Sequence, residues 1–154
     1  MIIKLRTADA KENAARNLLP RLPNWFGNDK SNLNYYRAVR NLDAWISQTP
    51  DGEINGLIVA KIHHKYTGDV YLLAIAPEYH RKGIGKKLMH EAERFFTEKG
   101  CRRIVIKTLS DTVKYAPYLD TCRFYEKMGY SKMMTFDEFW DDENPCLLLI
   151  KDLF

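Results

Sequence analysis

Between Asp69 and Lys86 an apolar run, Asp69-Val70-Tyr71-Leu72-Leu73-Ala74-Ile75, meets the turn residues Ala76-Pro77, and Gly83-Ile84-Gly85 then opens a segment of helical period. The run reads as a strand buried at a sheet centre. Ile84, Leu88, Ala92, Phe95 and Phe96 recur at helical spacing, and Gly100 stops that helix. A buried strand that turns through glycines into an amphipathic helix commits the chain to a mixed α/β fold. A helix start offers unpaired N–H groups and the positive end of a dipole. Glycines let the backbone approach an anion closely. Arg81, Lys82 and Lys86 add positive charge beside the turn. The segment therefore describes a di- or polyphosphate cradle, with a plain loop before a basic helix start as the other reading. A dinucleotide fingerprint would need glycine where Leu88 stands. A Walker loop would need glycine at His80 and Ser or Thr at Lys87.

The rest of the chain supplies a sheet for that strand. Ile2–Leu5 reads as a strand and Asp9–Leu19 as a helix ending before Pro20. Residues 20–32, broken by Pro20, Pro23 and Gly27, read as a loop carrying the aromatic pair Trp25-Phe26, with core packing as its expected role and a second wall of the acceptor site as the alternative. A short helix is expected over Asn34–Val39. Strands follow over Asp43–Ser47, Gly56–His63 and Asp69–Ile75. After the helix from Ile84 come a strand over Arg103–Thr108 and a helix over Pro117–Met128, capped by Gly129. Lys132–Phe136 and Cys146–Ile150 form a closing pair of strands. There is no repeat, low-complexity tract or linker, so residues 1–154 are expected to form one domain.

Composition narrows the function. Hydrophobic residues make up 45% of 154 residues, enough for one core, and 24 Lys+Arg against 20 Asp+Glu leave a net charge of +4. The basic residues are dispersed, without the stripe or run that nucleic acid requires, so no nucleic-acid partner is expected. Cys101, Cys122 and Cys146 form no C-x-x-C pair and have no histidine at metal spacing, so no metal is expected. Scattered thiols fit a reducing, cytoplasmic compartment. No apolar run approaches the roughly 18 residues of a membrane span.

The turn His80-Arg81-Lys82-Gly83-Ile84-Gly85 resembles motif A of the GNAT acetyltransferases, Q/R-x-x-G-x-G/A after a central strand, with His80 in the Gln/Arg position. Phe124-Tyr125-Glu126-Lys127-Met128-Gly129-Tyr130 is similar to motif B of the same family, F-Y-x-x-x-G-F/Y. Tyr118-Leu119-Asp120-Thr121 before it resembles a subgroup with Y-x-x-T. The resemblance covers nearly the whole chain and is weakest over residues 7–40. It implies a GNAT fold, a central mixed, mostly antiparallel sheet of six to seven strands flanked by helices. It also implies acetyl-CoA as donor and direct transfer of acetyl to a primary amine through a tetrahedral intermediate. Carried onto this chain, the backbones of Leu73, Ala74 and Ile75 would run beside pantetheine, with the Ile75 N–H an oxyanion donor. His80, Arg81, Lys82, Gly83, Ile84, Gly85 and Lys86 would hold the pyrophosphate.

Tyr125 is the candidate acid for the leaving thiolate, since a phenol stays protonated at neutral pH; a packing role beside the cofactor is the competing reading. Asp69 is the candidate base, against a strand-edge role after Gly68. His63 and His64 end the preceding strand, where one of them could face the acceptor. Asp137, Glu138, Asp141, Asp142 and Glu143 surround Phe139-Trp140, in what is expected to be a loop joining the last two strands. Carboxylates around an indole attract a cation, so the acceptor is expected to be a small cationic amine, with a solvated hairpin tip as the alternative. A CoA-binding module without turnover and a protein amine as acceptor remain open. The chain is expected to be a monomer or a homodimer.

Overall fold

The computed structural model describes residues 1–154. Seven strands form one sheet in the order β1-β2-β3-β4-β5-β7-β6. They are β1 (Ile2–Leu5), β2 (Asp43–Gln48), β3 (Ile54–His63), β4 (Thr67–Ile75), β5 (Arg103–Leu109), β6 (Ser131–Asp141) and β7 (Asn144–Asp152). The apolar run is thus the middle strand, β4. It pairs parallel with β5, while β1–β2, β2–β3, β5–β7 and β6–β7 pair antiparallel. The sheet is mixed and mostly antiparallel, as the resemblance implies. The helices are α1 (Ala8–Leu18), α2 (Asp29–Ala38), α3 (Ile84–Glu98) and α4 (Ala116–Lys127). None is long and apolar enough to cross a membrane.

The chain forms two compact units, Met1–Lys61 with Val70–Phe95, and Ile62–Asp69 with Phe96–Phe154. The first unit is built on α1 and α2. Ala14, Ala15 and Leu18 are buried at helical spacing on α1. They share a core with Tyr36 of α2, Ala44 and Ile46 of β2, Leu57 and Val59 of β3, and Leu72 and Ala74 of β4. Residues two apart on β2 and β3 reach this core because strand side chains alternate. Trp45, from the other face of β2, meets the Phe95 ring edge-on at 5.0 Å. Thr7 caps α1 by accepting from the Ala10 N–H at 3.1 Å.

α2 begins five residues before the expected Asn34. Asn28 caps it, its side chain accepting from the Ser31 N–H, so the polar stretch that looked like a loop is the first turn of the helix. Trp25 and Phe26 pack against the core, as expected.

In the second unit β5 lies between β4 and β7. Gly68 stands on β4 where a side chain would collide with Phe96, whose ring comes within 2.6 Å of an added Cβ. Leu147 and Leu149 of β7 are buried, and Cys122 of α4 donates to the Leu109 carbonyl at 3.8 Å. The largest departure from expectation is β6, which runs on from Phe136 to Asp141. The acidic stretch is strand, not connecting loop. Only Asp142 and Glu143 remain between β6 and β7, and Asp141 closes that turn by accepting from the Glu143 N–H at 2.9 Å and from Asn144 Nδ2 at 2.8 Å.

Candidate active site

The anion turn lies in the first unit. β4 ends at Ile75, the Ala76 N–H donates to the Asn55 carbonyl at 2.9 Å, and Pro77–Tyr79 makes one 3₁₀ turn. His80 then folds back over the strand end. Its Nε2 bonds the Ile75 carbonyl oxygen at 2.7 Å, and Trp25 meets its ring edge-on at 5.3 Å. The residue that departs from motif A therefore ties the turn to the strand through its side chain. The bond also fixes Nε2 as the protonated nitrogen, because a carbonyl only accepts.

Arg81 (φ 62°) and Gly83 (φ 82°) both take left-handed backbone, which folds the turn tightly ahead of α3. A Cβ built on Gly83 finds no heavy atom within 4 Å, so the glycine faces open space. The first intrahelical bond joins the Lys87 N–H to the Gly83 carbonyl at 3.1 Å. The N–H groups of Ile84, Gly85 and Lys86 lie in the first helical turn, where no carbonyl of the same helix can reach them. Arg81, Lys82, Gly83 and Lys86 are exposed. Lys82 Nζ sits over the Tyr79 ring at 5.4 Å, and Arg21 clamps the turn from below through Glu53 (3.0 Å) and Glu78 (2.5 Å). A hydrogen bond from its own backbone N–H, followed by the Arg21 guanidinium, keeps the Glu78 carboxyl below the usual carboxylate range. One guanidinium shared by two carboxylates offsets part of the negative charge beside the turn.

The second unit holds a buried charge cluster. Asp69 is 1% exposed. Its Oδ2 accepts from Lys107 Nζ at 3.0 Å and meets His63 Nε2 at 2.7 Å, while its Oδ1 is buried without a partner. His63 is therefore the member of the His63-His64 pair that engages a carboxylate; His64 sits in the turn with φ 57°. Lys107 is the residue missed from sequence. The β4–β5 register sets Asp69 opposite Val105, and Lys107 lies two residues on, on the same face. A single charge within the apolar run Ile104-Val105-Ile106-Lys107 was the available signal. With Oδ2 engaged by His63 and Lys107, Oδ1 is the oxygen left without a partner.

Tyr125 is buried in α4 at 6% exposure, stacked edge-on with Phe124 at 5.3 Å and Tyr130 at 6.1 Å. Burial, followed by the neighbouring Tyr118 and Cys122, pushes its hydroxyl well above the ordinary phenol value. The hydroxyl is thereby kept in its neutral, proton-bearing form. Tyr125 stands outside the Asp69 cluster.

The Acetyltransferase (GNAT) family profile matches residues 12–130. A mycothiol acetyltransferase of Arthrobacter sp. (strain FB24) is 26% identical over 107 residues, 62% of this chain and 31% of that protein. The chain thus spans about a third of that relative's length. Among solved structures, a protein described as a GNAT-family acetyltransferase from Desulfovibrio desulfuricans superposes with TM-score 0.82 at 18% identity, covering 100% of both chains. An aminoglycoside 6'-N-acetyltransferase complexed with coenzyme A superposes with TM-score 0.74 at 19% identity, covering 100% of this chain and 97% of the other. At such identities the superpositions speak for the fold. The family match extends over both motif-bearing segments, from α1 through Tyr130, and the chain belongs to the GNAT acetyltransferase family.

Proposed function

We propose that residues 1–154 act as one acetyltransferase domain that moves acetyl from acetyl-CoA to a primary amine of a small cationic molecule. The observation that carries the reading is Gly83. It has left-handed backbone and open space where a Cβ would stand, at the basic start of α3. Those are the needs of a backbone that receives a pyrophosphate. In this reading the helix-start N–H groups, with Arg81, Lys82 and Lys86, hold the phosphates. The strand-end backbone of Leu73, Ala74 and Ile75 orients the pantetheine arm.

The neutral amine attacks the thioester carbonyl, and the N–H of Ile75 stabilises the oxyanion. The C–N bond forms, the C–S bond breaks, and the departing sulfur takes the Tyr125 proton. The ammonium that forms gives up its proton to Asp69 Oδ1 or to water, and Tyr125 is reprotonated from solvent. The acidic residues on the β6–β7 hairpin support a cationic acceptor. The three buried, unpaired thiols support a cytoplasmic setting.

A thiol-release assay with acetyl-CoA against polyamines, aminoglycosides, amino acids and peptides tests the reading. Turnover with a small cationic amine supports it. Turnover with peptides alone assigns a protein amine, and CoA binding without turnover on any amine reduces the chain to a binding module. Gly83→Ala should weaken CoA at least tenfold in calorimetry. Gly52→Ala is the control. Gly52 also has positive φ (87°) and open space, so it carries the same backbone penalty of about 1–2 kcal/mol without a role in binding. Equal CoA affinity in the two variants would misplace the cradle.

A further inference from the structure

The Asp69 carboxylate is enclosed. Asp69 is 1% exposed, its Oδ1 is buried without a partner, and its Oδ2 is shared by Lys107 Nζ and His63 Nε2. An amine cannot touch a carboxylate closed off in this way. His63 connects it to the surface. It ends β3 just before the turn into β4, and its side chain is 37% exposed. Lys107 is partly exposed as well, but an ammonium only donates. An ionised carboxylate only accepts, so the His63 nitrogen that meets Oδ2 at 2.7 Å is the one that carries hydrogen. The lone pair of the neutral ring then lies on Nδ1, and no hydrogen bond within the chain engages that nitrogen. The cluster therefore presents one accessible proton acceptor, and it belongs to His63.

We infer that His63 relays the proton released by acetyl transfer, with Asp69 as the residue that positions its ring. This rests on the acetyl-transfer reading above and narrows it: of Asp69 and water as destinations, it assigns water, by way of His63. Once the amine nitrogen has bonded to the thioester carbonyl carbon, it carries one proton too many. That proton passes to a bridging water, which gives one of its own to the Nδ1 lone pair. One N–H bond of the ammonium breaks, its electron pair stays on the nitrogen, and one Nδ1–H bond forms. The imidazolium keeps its Nε2 hydrogen on Asp69 and returns the Nδ1 proton to solvent. Asp69 fixes the tautomer and Lys107 holds the carboxylate in place, so neither needs to meet the substrate. The charged groups around the ring are Asp69 from β4 and Lys107 from β5, with Lys61 two residues earlier on the same face of β3 and His64 next in the turn.

Steady-state kinetics of wild type and His63→Ala across pH, with the best-used amine at saturation, test it. Taking the ratio of the two kcat values at each pH cancels the acceptor's own ionisation. The ratio should be about 10² where His63 is neutral, within the range of a positioned proton acceptor, and fall tenfold per pH unit once the ring is protonated. Its midpoint should coincide with the His63 titration followed by ¹⁵N NMR. The KM for acetyl-CoA should not change, and added imidazole should restore turnover to His63→Ala in proportion to its neutral fraction. A residue that only props Asp69 would move neither the pH dependence nor the imidazole response. A ratio of one at every pH overturns the inference, and so does a loss of kcat that is independent of pH and that imidazole does not restore. If His63→Ala fails to fold, the wild-type ¹⁵N shifts decide: hydrogen on Nε2 is required, and hydrogen on Nδ1 alone overturns the relay. Wild-type turnover with an unaffected His63→Ala removes this inference only. No turnover with any amine removes the acetyl-transfer reading and the relay with it.

Discussion

Tyr125 shows how one packing decision sets both chemistry and pH response. Its burial suppresses ionisation, so the phenol stays a donor where an exposed tyrosine would begin to lose its proton. Tyr125→Phe should lower kcat by about 10²–10⁴ and leave the acetyl-CoA Kd nearly unchanged, the split expected of a proton donor in the transition state. An unaltered kcat would leave Tyr125 a packing residue. The same shift acts on stability. The folded hydroxyl titrates above its unfolded value, so between the two values the unfolded chain has lost a proton that the folded chain keeps. Stability is then full below about pH 10 and falls as pH rises beyond it. The melting temperature of Tyr125→Phe should decline less steeply in that range than that of wild type. The Asp69 cluster makes a second case at this scale. Asp69 and Lys107 share a bond at 3.0 Å with the carboxylate buried, so a double-mutant cycle of Asp69→Asn and Lys107→Met should give a coupling of about 0.5–3 kcal/mol. Additive effects would show that the pair is incidental. Asp69 and Tyr125 were legible as candidates because they stand within recognisable strand and motif patterns. Lys107 and the Trp25–His80 contact were not, because each depends on which strands or loops become neighbours, and no local period encodes that.

Among the elements, β4, α3 and α4 announced themselves through strong periods, a glycine stop and proline in the first turn. The sequence misled where polar residues sit in regular structure. The first turn of α2 looked like loop because its residues serve as cap and exposed face. The far half of β6 looked like a hairpin tip because strands are recognised by alternating burial, and a strand exposed along its whole length offers no alternation. The correction changes the acceptor test. Asp141 spends its carboxylate on the turn, accepting from Glu143 and Asn144, so its replacement would disturb the hairpin as well as the field. Asp142 and Glu143, between the strands, carry the charge without that side-chain duty. Asp142→Lys with Glu143→Lys should raise the KM for a cationic acceptor several-fold at low salt and leave acetyl-CoA affinity unchanged. The effect should shrink as added salt shortens the screening length from about 30 Å at 0.01 M to about 8 Å at 0.15 M. An unchanged KM at low salt would make the acidic hairpin a solvated tip.

At the scale of the molecule, the boundary between the two compact units falls inside β3, β4 and α3 rather than in a linker. β3 continues past Lys61, β4 crosses from Asp69 to Val70, and α3 from Phe95 to Phe96. Separating the units would break continuous strand and helix hydrogen bonding, so unfolding is expected to be one transition. The tryptophans can report this. Trp25 and Trp45 belong to the first unit and Trp140 to the second. Variants retaining Trp45 alone and Trp140 alone should melt at the same temperature by fluorescence. Ligand linkage sharpens the comparison. Acetyl-CoA at 100 times its Kd stabilises the folded chain by about 2.7 kcal/mol. For a chain of this length that corresponds to a rise of roughly 5–11 °C. The phosphate turn lies wholly in the first unit, so independent units would confine that rise to Trp45. A shared rise at Trp140 would follow from the two units unfolding as one, since β4 and α3 run on across the boundary. Two melting temperatures, with only the Trp45 transition moved by the ligand, would show the units to be thermodynamically separate.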